Sequence, residues 1–266
     1  MNNIFKKQLI LSVLIVTVLF TSCEKVIDLK LNNTEPKLVI EAILIDLDVK
    51  HIVSITKTVN FDASNDKVPV SNAIVAIKEE NGPTIVYTEQ TPGNYISSKY
   101  KAIPGKKYTM SVIVNGQTYV ATSIMPLAVP IKSLSQIELS AFGETRKIVQ
   151  VNYNDPAGIA NFYYNRVFIN NLKKERYYVE SDRFNDGREV KNNIFIDEPN
   201  LVTGDKVKVQ LLTIDANVYK YLFSITQITG NGGPPTTPAN PESNFNNGAL
   251  GFFSASSFTV DSLVIK

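Results

Sequence analysis

The residue types that most often carry catalysis or bind metals are scarce in this chain. Its 266 residues include one cysteine, Cys23, and one histidine, His51. A Ser-His-Asp triad or a zinc site with histidine ligands would therefore have to use His51. This residue stands between a lysine and an isoleucine at the start of a predicted strand, which is typical of a histidine on the surface or at a sheet edge. We therefore predict no catalytic residue, no metal ligand and no cofactor-binding residue.

The other sequence motifs of enzyme chemistry are absent or incomplete. The sequence contains neither a Gly-x-Ser-x-Gly nucleophile elbow nor a phosphate-binding Walker loop. Residues 182–187 begin like a calcium-binding loop, but Phe184 and Asn193 stand where such loops place an oxygen ligand and a glutamate. We interpret this segment as a solvated turn. The sequence does not exclude a pair of carboxylates at the spacing of a glycosidase site, because the distance between two acids depends on the fold.

Cys23 follows an N-terminal segment of the kind that directs secretion. Two lysines precede the apolar residues 9–20, a run that is shorter than a membrane-spanning helix of about 20 residues. It ends in Leu19-Phe20-Thr21-Ser22-Cys23, which resembles a bacterial lipobox, although Phe20 stands where leucine is usual. The cysteine of a lipobox is lipidated and becomes the mature N-terminus. We predict that residues 1–22 are a lipoprotein signal peptide and that Cys23 is lipidated; the alternative is an ordinary secretion signal that contains a cysteine.

The segment after the signal and the overall charge fit a tethered protein. Residues 23–36 are mostly polar with scattered apolar side chains, and we predict that they form a tether. The chain has 27 basic and 25 acidic residues, so loss of the two signal-peptide lysines balances the charges. A net charge near zero argues against nucleic acid or an anionic lipid surface as the main partner.

The rest of the sequence predicts a mainly β protein. Short β-branched runs bounded by turn residues begin at Lys37. The dipeptide Asn115-Gly116 provides the two positive φ angles of a type I′ hairpin turn, and in the resulting register Met110 faces Ala121. Strands with turns at this frequency are typical of a sandwich of immunoglobulin or prealbumin type, which we predict for residues 37–125.

A second β-rich domain with one helix is predicted for residues 131–266. Met125-Pro126 and Val129-Pro130 mark the boundary, because proline removes a backbone donor and restricts the residue before it. Asp215 stands where a helix N-cap belongs, and apolar residues then recur at helical spacing up to a glycine. We therefore predict a helix near residues 215–229.

Two further features of the second half suggest contact surfaces. Phe162-Tyr163-Tyr164 and Tyr177-Tyr178 place rings on both faces of a strand, which leaves room for at least one exposed ring in each, and exposed tyrosines would suit a peptide, glycan or protein. The alternative is a tyrosine that caps the edge of the core. Residues 231–247 are rich in Gly, Pro and Asn and exceed the usual length of a connection. We expect this loop to help contact a transporter or its cargo, or else to pack over its own domain.

Both ends of the chain resemble one protein family. Pro238-Ala239-Asn240-Pro241-Glu242-Ser243-Asn244, followed by residues 248–255, resembles the ending of a family of Bacteroidota lipoproteins, domain of unknown function 4249. The start, Cys23-Glu24-Lys25-Val26-Ile27-Asp28-Leu29 followed by a strand at residues 37–41, is similar to the start of that family. Members are often encoded beside TonB-dependent outer-membrane receptors, so the resemblance implies an accessory role in uptake.

These observations favour one function and leave two alternatives. We predict a lipid-anchored outer-membrane accessory or binding protein, not an enzyme, that partners a TonB-dependent transporter in nutrient uptake; its ligand stays open. Glu24 and Asp28 resemble the acidic residues of surface-lipoprotein tethers and favour the cell surface over the periplasmic face. The alternatives are a surface adhesion or scaffold lipoprotein, and a secreted hydrolase that uses carboxylates.

Overall fold

The computed structural model describes residues 35–59, 67–141, 143–196, 199–228 and 240–266. The predicted signal peptide, Cys23, most of the tether and residues 229–239 lie outside the described part. Within it the chain forms sixteen strands and one α-helix, α1 (Ala216–Ile228). The strands are β1 Leu38–Ile45, β2 Val49–Lys57, β3 Val68–Pro69, β4 Ile74–Glu79, β5 Thr84–Thr91, β6 Asn94–Tyr100, β7 Lys107–Val114, β8 Gln117–Ile124, β9 Ile131–Ala141, β10 Glu144–Asn154, β11 Phe162–Ile169, β12 Leu172–Lys173, β13 Tyr178–Ser181, β14 Glu189–Ile194, β15 Lys206–Ile214 and β16 Leu250–Val264.

A large mixed sheet contains 13 of the strands found in the described residues. Its order is β12-β11-β15-β16-β1-β2-β6-β5-β4-β7-β8, with β13 paired to β11 and β3 to β2, and a smaller sheet has the order β14-β10-β9. The prediction of a mainly β, sandwich-like fold with one helix is confirmed. Residues 126–130, the predicted domain boundary, connect the two sheets. The division into two domains stays a prediction, and strands from both sides of that boundary share the large sheet.

The strand β16 joins the two halves of the large sheet. Its residues 250–256 pair in parallel with β1, and residues 257–264 pair antiparallel with β15. Gly251 permits a close approach of β16 to β1, because a Cβ at this position would lie 2.0 Å from the carbonyl oxygen of Ile40. Its φ of 92° is also one that favours glycine. The parallel pairing therefore depends on the absence of a side chain at residue 251.

The hairpin predicted from Asn115-Gly116 is confirmed as β7 and β8. Both turn residues have positive φ, 50° and 79°, and Met110 pairs with Ala121. One face of this hairpin enters a first core under strands β1 to β8. The core buries alternate residues of these strands, among them Ile40, Leu44, Val53, Ile55, Val75, Ile77, Tyr95, Tyr108, Met110 and Val112.

The helix α1 and the small sheet cover opposite faces of β11 and β15. Asp215 caps the helix as predicted, since Oδ1 accepts hydrogen bonds from the backbone N–H groups of Asn217 and Val218, both at 3.0 Å. The helix packs in a third core, whose buried members are Tyr164, Leu212, Ile214, Val218, Tyr221, Leu222 and Phe252. The small sheet packs in a second core that includes Val149, Val151, Tyr163, Val167, Val190, Ile194, Val207 and Val209. Among the described residues, no helix is both long and apolar enough to cross a membrane.

Candidate functional site

The single histidine is buried within the large sheet, and the single cysteine cannot be placed in it. Cys23, the predicted lipidation site, lies outside the described residues. His51 is 3% exposed, and its Nε2 donates a hydrogen bond of 2.7 Å to the carbonyl of Tyr100. Burial lowers the pKa of the imidazole, so the ring is neutral at neutral pH. The prediction of a surface or edge histidine is wrong, because β2 lies inside the sheet between β1 and β6.

Residues 182–187, interpreted as a solvated turn, help to bring three acids together. Single carboxylate oxygens of Asp155, Asp182 and Asp186 all lie within 4.8 Å of one another. Asp182 is buried at the start of a short 3-10 helix, Asp182–Phe184, so a solvated turn is the wrong description for this side chain. In the part of the chain that the structure describes, no other trio of acids or histidines has the spacing of a cation site.

Hydrogen bonds inside the turns account for the position of these acids. The two oxygens of Asp155 accept hydrogen bonds from the Tyr163 hydroxyl and, at 3.2 Å, from the Gly187 N–H. Each of the other two acids accepts a backbone N–H bond of 2.7 Å from within residues 158–161. The acids therefore connect the turn after β10 to the turn before β14. We assign them a structural role.

A cavity of about 330 Å³, which we call the Glu41 pocket, opens on the large sheet on the face opposite the first core. Its place follows from strand alternation. In β1, Ile40 and Ala42 enter the first core, so Glu41 and Ile43 face the other side of the sheet. The other main lining side chains are Ile52 of β2, Tyr164 and Arg166 of β11, Phe252 of β16, Lys50, Lys173 and Tyr177.

Aromatic rings form one wall of the Glu41 pocket. The ring centroids of Tyr164 and Tyr177 lie 5.7 Å apart, and Tyr221 of α1 packs on Phe252 with centroids 5.5 Å apart. Burial is the main cause that raises the pKa of Tyr164 and of Tyr177, and it raises the pKa of Tyr221 to about 12. The negative charge of Glu41 raises all three further. The hydroxyl groups of all three tyrosines are therefore neutral at neutral pH.

Ion pairs compensate the charged groups of the Glu41 pocket only in part. The side chain of Glu41 is 27% exposed and pairs at 3.5 Å with Lys67, whose side chain is 72% exposed. Arg166 forms no ion pair with any residue that the structure describes. Lys50 and Lys173 add positive charge, and although Lys173 pairs at 3.6 Å with the exposed Glu175, cations outnumber anions in the lining itself. An apolar wall with a few fixed charges is typical of a site that binds a small polar ligand.

The two tyrosine doublets differ in their surroundings. Tyr163 and Tyr164 are 1% and 3% exposed, because the small sheet covers one face of β11 and α1 covers the other. The expectation of an exposed tyrosine is therefore wrong for this group: both tyrosine rings pack in the core, and the neighbouring Phe162 is half-buried. Tyr178 is buried as well, whereas Tyr177 is half-buried and lines the Glu41 pocket.

Sequence reasoning missed Glu41 and Arg166. Each is a charged residue inside an otherwise largely apolar strand, Leu-Val-Ile-Glu-Ala-Ile-Leu-Ile in β1 and Phe-Tyr-Tyr-Asn-Arg-Val-Phe-Ile in β11. Such an interruption was a signal, since a charge in a half-buried strand faces solvent or a ligand. The sequence alone did not bring the two together, because β15 and β16 separate their strands in the sheet.

The described end of the predicted 231–247 loop packs on its own domain. Residues 229–239 lie outside the described part, and residues 240–247 run along β8 at the edge of the large sheet. The N–H of Asn246 donates to the carbonyl of Val120 at 3.0 Å, and its Oδ1 accepts from the N–H of Val120 at 2.7 Å. Asn247 donates to the carbonyl of Thr118 at 2.8 Å. This segment therefore protects a sheet edge that would otherwise offer free backbone groups.

Comparison with known proteins identifies one family. A family model described as a domain of unknown function (DUF4249) matches residues 24–262. No curated protein matches the chain.

Proposed function

The chain belongs to the DUF4249 family, and from this premise we propose that it is a lipid-anchored Bacteroidota outer-membrane protein that binds a small ligand beside a TonB-dependent transporter. Two observations support the anchor. The sequence around Cys23 resembles a lipobox, and the family match begins at the next residue, Glu24. A diacylglycerol and an N-acyl chain on this cysteine would supply more than the two signals that stable membrane attachment requires.

The Glu41 pocket is the observation that carries the binding role. Its volume of about 330 Å³ lies within the range of small-molecule sites. It combines rings of Tyr164, Tyr177 and Phe252 with charges of both signs from Glu41 and Arg166. Such a lining recognises a polar molecule by hydrogen bonds and stacking, which an accessory protein of a nutrient transporter must do to hold its cargo.

A substitution at Cys23 tests the anchor. We expect Cys23→Ser to leave a folded protein that no longer sediments with membranes, since serine cannot carry the thioether-linked lipid. Ser22→Ala is the matched control, because it exchanges one small residue for another beside the cysteine and should stay in the membrane fraction. Retention of Cys23→Ser in the membrane fraction, at the level of the wild type, would disprove the anchor.

Affinity purification of the tagged full-length protein from detergent-solubilised membranes tests the transporter role. We expect a TonB-dependent barrel to co-purify with the wild type and to be depleted with Cys23→Ser, which lacks the anchor that holds both in one membrane. If no such barrel is enriched over a control lipoprotein of the same cells, the transporter role is wrong.

The membrane face is proposed from the tether. Glu24 and Asp28 resemble the acidic residues of surface-lipoprotein tethers, so we propose exposure on the cell surface. Protease treatment of intact cells should then remove the protein while periplasmic markers survive. A protein that is cut only after the outer membrane is opened would instead face the periplasm.

A second candidate function, surface adhesion or scaffolding, is favoured by one observation. The face of the large sheet opposite the first core carries exposed β-branched side chains, and Ile52, Ile74 and Val86 are 55%, 65% and 61% exposed. Apolar surface of this kind is typical of protein contacts. Loss of cell attachment in a deletion strain, without a transporter in the affinity purification, would favour this second function.

A further inference from the structure

The guanidinium of Arg166 is free to bind an anion. It lines the Glu41 pocket on the same face of β11 as Tyr164 and Phe168. Its carbon Cζ lies 5.8 Å from the centre of the Phe168 ring, and no carboxylate among the described residues pairs with it. A half-buried guanidinium offers a planar fork of N–H donors that matches the two oxygens of a carboxylate.

Glu41 supplies the opposite charge without neutralising Arg166. The two side chains line one pocket but form no ion pair with each other. The ion pair between Glu41 and Lys67 is 3.5 Å long and the Lys67 side chain is 72% exposed, so the pair contributes little free energy and a ligand can take the place of Lys67. A molecule between Glu41 and Arg166 could therefore donate hydrogen bonds at one end and accept them at the other.

The size and the charge of the pocket restrict that molecule further. A volume of about 330 Å³ is at the small end of ligand sites, which fits a single amino acid or a single sugar unit. Lys173 pairs at 3.6 Å with Glu175, which lies outside the lining, so the excess of positive charge in the lining comes from Lys50 and Arg166. A ligand with a net negative charge therefore gains more from this pocket than a neutral one.

Resting on the proposed binding role, we propose that the Glu41 pocket binds a small carboxylate that also carries hydroxyl or amino donors, the class of sugar acids and acidic amino acids. The carboxylate lies against Arg166, and the donors face Glu41. The ring of Tyr177 forms the wall along which the body of the ligand packs. Sugar acids and acidic amino acids share one anionic group and one set of hydrogen-bond donors on a compact carbon skeleton.

Calorimetric titration of the detergent-purified full-length protein tests this inference. The probes are sodium glucuronate, sodium glutamate and glucose, the neutral counterpart of glucuronate. Binding of glucuronate alone identifies a sugar-acid site, and binding of glutamate alone identifies an amino-acid site; either supports the proposal. No binding of either anion, or equal binding of glucose and glucuronate, overturns it.

Substitutions assign the roles of the two charged residues. We expect Arg166→Gln to weaken binding of the anion about 10- to 100-fold, because a charge-assisted pair is lost. Arg183→Gln is the matched control: its guanidinium also lies over a phenylalanine ring, at 5.3 Å, but it is exposed and outside the pocket. Glu41→Gln should weaken binding of the anion less than Arg166→Gln does.

A second variant keeps the test valid if Arg166→Gln does not fold. Arg166→Lys retains the charge but loses the planar fork, so binding should weaken by about 3- to 10-fold. Unchanged affinity in a folded Arg166 variant overturns the proposal. Barrel co-purification is measured in parallel: if it persists while no carboxylate binds, only the ligand assignment fails. If carboxylates bind but no barrel co-purifies, only the transporter role fails.

Discussion

The hydroxyl of Ser123 donates a hydrogen bond to the carboxylate of Asp215, although 92 residues separate them in the chain. The same hydroxyl oxygen accepts a hydrogen bond of 2.9 Å from the backbone N–H of Ala255. Asp215 also caps α1 through two backbone N–H groups. This pair of side chains therefore joins the edge strand β8, the strand β16 and the start of the helix.

Removal of this carboxylate is expected to destabilise the whole domain. Asp215→Ala loses the N-cap and leaves the Ser123 hydroxyl without its acceptor, which together cost about 2 kcal/mol. The free energy of unfolding, measured by urea titration, reports the loss. Asp48→Ala, at an exposed acid between β1 and β2, is the control and should change stability by less than about 0.5 kcal/mol. Equal effects of the two variants would contradict the assigned role.

The contribution of Asp215 should depend on pH with a defined sign. Burial is the main cause that raises the pKa of this carboxyl above its usual 3.8 in the folded state. As pH rises past the unfolded value, the unfolded chain ionises first, so the wild type loses stability until the pH exceeds the folded pKa. Asp215→Asn cannot ionise but can still cap the helix.

Urea titrations of the wild type and Asp215→Asn between about pH 3 and pH 7 measure this effect. The stability of Asp215→Asn relative to the wild type should increase as pH rises from the usual carboxyl pKa, and then level off. The other acids are common to both proteins, so they cancel in the difference. A difference that does not vary with pH would mean that Asp215 has the same pKa in both states.

Asn165 is a buried amide whose replacement should stabilise the protein. It is 0% exposed in β11, and neither side-chain polar atom has a hydrogen-bond partner in the described residues. Asn165→Leu replaces the amide by an apolar side chain of similar shape and so removes the cost of burying unpaired polar atoms. It should increase the free energy of unfolding by about 1 kcal/mol. Asn161→Leu is the control: its amide donates to the carbonyl of Ile159 at 2.6 Å, so it should destabilise. A loss of stability in Asn165→Leu would indicate an ordered water bound to this amide.

The close approach of β16 to β1 makes Gly251 intolerant of substitution. Gly251→Ala places a methyl group against the carbonyl of Ile40 in a backbone conformation that alanine disfavours, so we expect a loss of more than about 3 kcal/mol. Gly116→Ala also has a positive φ but meets no atom within 4 Å, and it should cost about 1 kcal/mol. Thermal melts of both variants measure the loss of stability. Similar losses in the two variants would show that only the φ angle matters, and not the contact with Ile40.

The acids at Asp155, Asp182 and Asp186 are expected to repel one another. Asp186→Asn keeps the oxygen that accepts from Gly158 but removes one charge, so stability should rise by about 0.5 kcal/mol at low salt and less at high salt. Asp48→Asn is the exposed control. A wild-type melting temperature that increases with added Ca²⁺, and no longer does so in Asp186→Asn, would show a cation site instead.

Local sequence signals predicted the parts of the fold that depend on neighbours in the chain. Asn115-Gly116 correctly predicted a hairpin, and Asp215 correctly predicted the start of α1, because a turn and a helix cap each depend on interactions within a few residues. The burial of His51 and of Tyr164 depends on which strands and helix lie beside them. The pocket depends even more on long-range order, since Glu41 and Arg166 line one cavity only when β1, β16, β15 and β11 lie side by side in the sheet. No periodicity encodes that order.

The pairing of β1 with β16 has a consequence for how the protein is made. A chain that is synthesised from its N-terminus completes β1, which ends at Ile45, long before β16, which begins at Leu250. Until then β1 and β15 each lack one neighbour, and free strand edges invite pairing with other chains. Closure of such a distant contact is slow. The fifteen residues of β16 therefore complete the large sheet last, and a chain truncated before them would keep unpaired strand edges and be degraded by proteases.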